Sequence, residues 1–163
     1  MFREIQRFAD IAPTGLIHKT LADTQLAGEN ILHLIDVTNC HMFSLSGYSL
    51  PSNTLVMCNY SACHRCPEFW EKPEEFYPEH FLTEDGALIN DKPGFLPYGV
   101  GPRICPGAEL ADMKMFLIIA NMIATFDMSL PPADDGDLGT QFEAGTAVLR
   151  NPKPFRTVFD LRS

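Results

Sequence analysis

The longest apolar run in the chain lies at residues 115–126, broken by Asn121 and preceded by Lys114. Its length predicts a buried helix and falls short of the ~18 uninterrupted apolar residues of a membrane span. At the amino terminus Phe2, Ile5 and Phe8 recur at spacing three and predict a helix over 1–9, stopped by Pro13 and Gly15. That helix has no lead-in, cap or targeting sequence before it, so the chain reads as starting inside something larger. Residues 16–20 and 23–27 predict short strands with Gly28 as a turn. Residues 47–51 read as a turn entry, and 54–59 as a short buried strand. Residues 29–46 mix helix and strand formers without clean periodicity.

Residues 65–82 hold three prolines and five aromatics (Phe69, Trp70, Phe76, Tyr77 and Phe81). The prolines forbid a long regular element, yet the aromatics need burial, which predicts a packed irregular segment. Residues 83–93 form a polar loop with a turn at Asp85 and Gly86. Residues 131–139 make an acidic surface loop rich in Pro and Gly. Residues 146–149 and 154–161 predict two strands joined by a turn at Asn151 and Pro152. No internal repeat is present.

The length of 163 residues suits one domain, and 45% hydrophobic content fits a globular piece. A net charge of −9 argues against nucleic acid as a partner. The five cysteines, at 40, 58, 63, 66 and 105, are odd in number and irregularly spaced. They do not form a secreted disulfide framework, and a reducing setting follows.

Chemistry concentrates at residues 95–107. Gly99 and Gly101 permit backbone angles that side chains forbid, and Pro102 and Pro106 stiffen the loop around Arg103 and Cys105. Pro106 also suits a first helical turn. The following helix would aim its N–H groups and positive dipole end toward the sulfur and favour an anionic thiolate. Arg103 adds a cation suited to a carboxylate. The alternative is a buried structural cysteine at a helix start. A nucleotide cradle is excluded, because the third glycine is replaced by Ile104 and no Lys-Ser/Thr follows. Cys63 and Cys66 form a C-x-x-C that suggests a redox pair or half a zinc site, without a second pair to complete the metal. Asn59-Tyr60-Ser61 is formally a glycosylation sequon.

The stretch Tyr98-Gly99-Val100-Gly101-Pro102-Arg103-Ile104-Cys105-Pro106-Gly107 resembles the haem-binding loop of cytochromes P450. Tyr98 replaces the usual Phe, and its hydroxyl requires a partner. Glu4-Ile5-Gln6-Arg7 resembles the Glu-x-x-Arg of the family's K helix. Spacing three puts both side chains on one face, in what is otherwise an ordinary surface ion pair. The segment from His64 to Phe81 resembles the aromatic-rich stretch before the haem loop, with His80 where Arg is usual. That choice points to the microsomal drug- and steroid-oxidising branch. Residues 13–20 resemble the substrate-facing segment after the K helix. Four matches fall in family order, covering nearly the whole chain except 29–46.

The resemblance implies a mainly helical α+β fold, a carboxyl-terminal part of one cytochrome P450 domain spanning 1–163. Its pieces are the K helix end, a small β-sheet, the haem-binding loop, the L helix and a C-terminal β-hairpin. Residues 29–46 are an expected insertion. Cys105 is the expected axial ligand of haem b. Arg103 and His18 would hold propionates, and Tyr98, Gly99 and Gly107 would line the cofactor. Glu4, Arg7 and His80 would form a structural triad. Thr14, Gly15, Leu16, Ile17, Ala147 and Val148 would face substrate. The implied activity is haem-thiolate monooxygenation of small hydrophobic xenobiotic, steroid or fatty-acid-like molecules. Electrons would come from NADPH-cytochrome P450 reductase, with Lys114 near its docking face, at the cytoplasmic side of the endoplasmic reticulum membrane. Two alternatives stand beside it: a non-catalytic remnant lacking the distal haem side, and a C-x-x-C zinc or thiol-redox module.

Overall fold

A computed structural model describes residues 1–26, 48–131, 142–143 and 149–162. Helix α1 spans Phe2–Ala9 and ends at Asp10, whose left-handed φ of 44° turns its N–H back to the Gln6 carbonyl at 3.1 Å. The buried side of α1 is its polar one. Glu4, Gln6 and Arg7 are buried, whereas Phe2, Ile5 and Phe8 are half-exposed. Apolar spacing predicted the helix but not the face it buries, because the irregular segments around α1 present carbonyls, which a polar face satisfies.

Strand β1 (His18–Lys19) and strand β4 (Leu55–Val56) pair antiparallel, with His18 opposite Val56. Strand β2 (Thr24–Leu26) pairs antiparallel with β3 (Tyr48–Leu50), Leu26 opposite Tyr48. Tyr48, Ser49 and Leu50 are therefore strand and not turn entry. The turn comes after them, at Asn53 with φ 67°. Strand β4 is shorter than expected and is not buried, since Leu55 is 67% exposed. The β2–β3 register brings the ends flanking 27–47 together. Gly28 and residues 29–46 lie outside the described residues.

Helix α2 (Tyr60–His64) is capped by the Asn59 side chain, which accepts the Ala62 N–H at 3.2 Å. The sequon asparagine thus has a capping role. Beyond α2 the irregular segment folds into an aromatic core. Trp70 and Phe81 are fully buried, and Phe81 lies edge-on to Phe95 with centroids 4.8 Å apart. A 3₁₀ turn at Pro78–Phe81 delivers His80 and Phe81 inward.

Helix α3 (Ala108–Thr125) is the predicted long helix, but none of its residues is buried. Leu110, Met113, Phe116, Leu117 and Ile118 are each more than half exposed. Among the described helices α1 packs on it, through a Phe2–Phe116 edge contact at 6.5 Å. No helix among the described residues is long and apolar enough to cross a membrane.

The tail pairs differently from the expected hairpin. α3 runs directly into β5 (Phe126–Ser129), which pairs antiparallel with β8 (Val158–Leu161). β6 (Phe142–Glu143) pairs with β7 (Asn151–Pro152), so the expected turn residues are themselves strand. The Phe126–Phe159 edge contact at 5.6 Å and the Arg162–Asp127 bond at 2.7 Å hold β8 on β5. Cross-strand partners of this kind outweigh local turn propensity. Residues 144–148 lie outside the described residues, as do 132–139 of the acidic loop.

Candidate functional site

The 95–107 loop is fixed from three directions. His64 Nε2 accepts the Leu96 N–H at 3.0 Å, and its Nδ1 lies 2.9 Å from Asp10 Oδ1. With Nε2 accepting, Nδ1 carries a proton toward Asp10, so His64 bridges the loop and the end of α1. Asp10 also receives Arg150 Nη1 at 3.2 Å. Burial pushes the Asp10 carboxyl up, yet the bonds from His64 and Ser61 and the charge of Arg150 hold it below the usual range.

The second support is Tyr60. A Cβ at Gly99 would meet the Tyr60 hydroxyl at 2.8 Å, and one at Gly15 would meet the same hydroxyl at 3.0 Å. Gly99 has φ 75°, which also favours glycine. Tyr60 is therefore wedged between the loop and the 13–17 segment. That segment is tied to the strand side by Gly15 N–H to the Cys58 carbonyl at 2.8 Å.

The third is a triangle of hydrogen bonds. Tyr98 Oη donates to Asp112 Oδ1 at 2.6 Å, while Gln6 Nε2 donates to Tyr98 Oη at 2.8 Å and to Asp112 Oδ1 at 2.9 Å. The Tyr98 hydroxyl thus has partners on α1 and α3. Burial, then the bond to Asp112, pushes the phenol well above its ordinary value and keeps the proton in place.

Between these supports the loop closes through a 3₁₀ turn at Gly101–Arg103. The Cys105 N–H donates to the Tyr98 carbonyl at 3.0 Å, and the Cys105 carbonyl accepts the Ala108 N–H at 3.2 Å. The Cys105 side chain itself is exposed. A Cβ at Gly107 would lie 3.9 Å from Cys105 Sγ and meet no other non-adjacent atom within 4 Å, so glycine keeps the space beside the sulfur clear. Arg103 and His18 are exposed, and their side chains make no hydrogen bond or ion pair with a described residue. Ile104, Leu16 and Ile17 are exposed too. A solvent-facing thiol with open space beside it, two residues from the exposed guanidinium of Arg103, fits a group that offers a metal and carboxylates. Ala147 and Val148 lie outside the described residues, and Thr14 is bridged to Asn59.

Glu4, Arg7 and His80 meet away from the loop, in the aromatic core. Arg7 binds Glu4 through Nε at 2.9 Å and Nη2 at 2.6 Å, with both residues 0% exposed. Its remaining donors reach the carbonyls of His64, Pro73 and Glu75, each at 2.8 Å. Glu4 accepts the Tyr77 N–H at 2.9 Å, and His80 Nδ1 lies 3.3 Å from Glu4 Oε2. An ordinary surface ion pair is thereby ruled out. Burial pushes the Glu4 carboxyl up, but Arg7, the Tyr77 amide and His80 outweigh it and hold it below the usual range. Burial lowers His80, partly offset by Glu4.

Cys63 and Cys66 are buried beneath Trp70, whose indole N–H donates to the Cys63 carbonyl at 2.8 Å. No group of three His, Cys, Asp or Glu side chains able to hold a metal gathers among the described residues. No short spacing marks Gln6, Asp10, Tyr60, His64 or Asp112 as a loop support. Gln6 sits inside the Glu-x-x-Arg stretch and His64 inside the C-x-x-C, and neither motif carries a sign of the distant loop. Asp112 follows Cys105 by two helical turns, a spacing without a signal of its own.

The family model "Cytochrome P450" matches residues 37–159. The chain is 33% identical over 155 residues to Cytochrome P450 2L1 of Panulirus argus, covering 95% of this chain and 27% of that protein. It is 36% identical over 128 residues to Cytochrome P450 2U1 of Homo sapiens, covering 78% and 20% respectively. It is 33% identical over 141 residues to Cytochrome P450 2D16 of Cavia porcellus, covering 83% and 24%. The chain thus spans about a quarter of the length of these relatives.

Proposed function

Because the chain belongs to the cytochrome P450 family, we propose that residues 95–107 are the thiolate side of a haem monooxygenase site. The observation that supports this best is the exposed Cys105 thiol on a loop braced from behind, with Gly107 keeping the adjacent space open. Cys105 would hold the iron through its sulfur, and Arg103 and His18 would hold the propionates. Tyr98, Gly99 and Gly107 would line the group. When bound, haem b supplies activation of dioxygen and oxidation of substrate, helped by electron donation from the thiolate.

The chain's own contribution is orientation. The buried Glu4–Arg7–His80 cluster acts as a structural triad that holds the 64–81 segment. His64 carries that rigidity to Leu96, and the loop presents Cys105. Leu16 and Ile17, with Thr14 and Gly15, form the apolar approach for a small hydrophobic substrate, a role that the family resemblance also implies for Ala147 and Val148. A reductase using NADPH would deliver electrons near the Cys105 face, where Lys114 adds a cation. By family, the setting is the cytoplasmic side of the endoplasmic reticulum membrane.

The test is spectroscopic. The purified chain is mixed with haemin, reduced and exposed to carbon monoxide. A thiolate-type absorption band that Cys105→Ala abolishes is the expected result. No band, or one that survives Cys105→Ala, refutes the assignment. A second reading, a haem binder without turnover or a non-catalytic remnant, is favoured by the exposed apolar face of α3. Under that reading, substrate turnover with added reductase is absent even where the band is present.

A further inference from the structure

The Tyr98–Asp112–Gln6 triangle joins three separate stretches of chain at one phenolic oxygen. Two of its members belong to elements, α1 and α3, that flank the loop on opposite sides in sequence. The third, Tyr98, carries the carbonyl that accepts the Cys105 N–H at 3.0 Å. Any displacement of the Tyr98 ring is therefore passed through one peptide unit to the Cys105 backbone. Deepening the haem-thiolate reading on which it rests, we propose that Asp112 and Gln6 are positioning residues. They act through Tyr98 to set where Cys105 presents its sulfur.

The distances support a clamp in place of a chance contact. The Tyr98–Asp112 bond is short, 2.6 Å, as expected of a hydroxyl donating to an ionised carboxylate. Gln6 spends its amide on both partners at once, at 2.8 and 2.9 Å, which fixes their separation. A phenylalanine at 98 would keep the ring but leave Asp112 with Gln6 as its only side-chain hydrogen-bond partner among the described residues, so the clamp depends on a single oxygen atom. Burial and Asp112 hold the phenol protonated, so the donor role persists at working pH.

The test uses the whole chain and begins without haem. Amide hydrogen exchange is followed at Cys105 in wild type, Tyr98→Phe, Asp112→Ala and Asp112→Asn. Tyr98→Phe and Asp112→Ala are expected to speed exchange at Cys105 about 10-fold, the scale of one lost charge-assisted hydrogen bond. Global stability is tracked in parallel by Trp70 fluorescence. Asp112→Asn retains an acceptor oxygen and is expected to restore most of the protection. The double variant Tyr98→Phe/Asp112→Ala should be no worse than either single, because both remove the same interaction.

Unchanged Cys105 exchange in Tyr98→Phe overturns the proposal, as does a change that merely follows global stability. With haemin and carbon monoxide, the same variants are expected to show a smaller thiolate-type fraction than wild type. An unaltered fraction beside a normal wild-type band overturns the clamp while leaving the haem reading intact. A missing wild-type band beside altered Cys105 exchange sinks the haem reading alone, because the clamp is then established in the chain itself.

Discussion

Replacing Arg7 with Met is expected to cost most of the stability of the fold. Met fills much of the volume of Arg but carries no donors. The change removes two bonds to Glu4 and one each to the carbonyls of His64, Pro73 and Glu75. It also removes the guanidinium lying 5.0 Å from the Trp70 ring centroid. Glu4, 0% exposed, is left with only the Tyr77 amide and His80 against its charge. Breaking one side of a buried ion pair costs about 3–5 kcal/mol. Stranding the buried His64 carbonyl adds roughly 1 kcal/mol, and the part-buried carbonyls of Pro73 and Glu75, which water reaches, together add up to about 1 kcal/mol more. A loss of about 4–7 kcal/mol compares with a total of about 5–15 kcal/mol for a small domain.

Trp70 is the single tryptophan and is fully buried, so its fluorescence reports urea unfolding at the right place. With a urea slope of about 2 kcal/mol per molar, a loss of 4 kcal/mol moves the midpoint down by about 2 M. The double variant Glu4→Gln/Arg7→Met removes both charges and should recover part of that loss, because the uncompensated carboxylate is gone. A midpoint for Arg7→Met within about 0.5 M of wild type would refute the reasoning, since it would mean that the cluster is not buried as described.

Acid is expected to destabilise the chain in two stages. His80 is depressed by burial, so its unfolded form begins to take up protons below about 6.5 while the folded form resists. Glu4 and Asp10 lie below the ordinary carboxylate range, so the stability each confers is present above roughly pH 4 and is lost as pH falls through the folded values. Urea midpoints from Trp70 fluorescence should therefore fall from pH 7 toward pH 3, and a flat profile would contradict this. Gly94→Ala is expected to cost about 2–4 kcal/mol. Its φ is 78°, and a Cβ there would lie 2.6 Å from Phe69, so strain and overpacking add. Gly86→Ala has a similar φ of 83° but meets nothing within 4 Å, so it should cost only about 1–2 kcal/mol. Equal losses at the two sites in thermal or urea unfolding would show that Phe69 gives way freely.

The order of motifs was legible because each depends on short spacing. Three residues between Glu4 and Arg7 guarantee a shared helix face, and two glycines around Val100 guarantee a loop before Cys105. The long apolar stretch announced α3, and three prolines among aromatics announced an irregular packed segment. Apolar spacing in α1 marked a helix but not the face it buries, because burial there follows hydrogen-bond supply and not hydrophobicity. The tail departs from its local turn signals for a related reason. Local turn signals at Asn151 and Pro152 carry no record that β8 pairs with β5, about thirty positions away.

What the sequence determined alone is therefore the chemistry on offer and its local geometry: a cysteine at a glycine loop, a helix after it, a carboxylate and a guanidinium one turn apart. The tertiary structure decided how those pieces are held. Only folding brings Gln6 and Asp112 to the Tyr98 hydroxyl, His64 to both Asp10 and Leu96, and Tyr60 between Gly15 and Gly99. The physical reason is that a side chain's spacing along a helix or loop is set by backbone geometry within a few residues. Which distant donor meets which acceptor depends on how whole segments pack, and short-range spacing does not encode that.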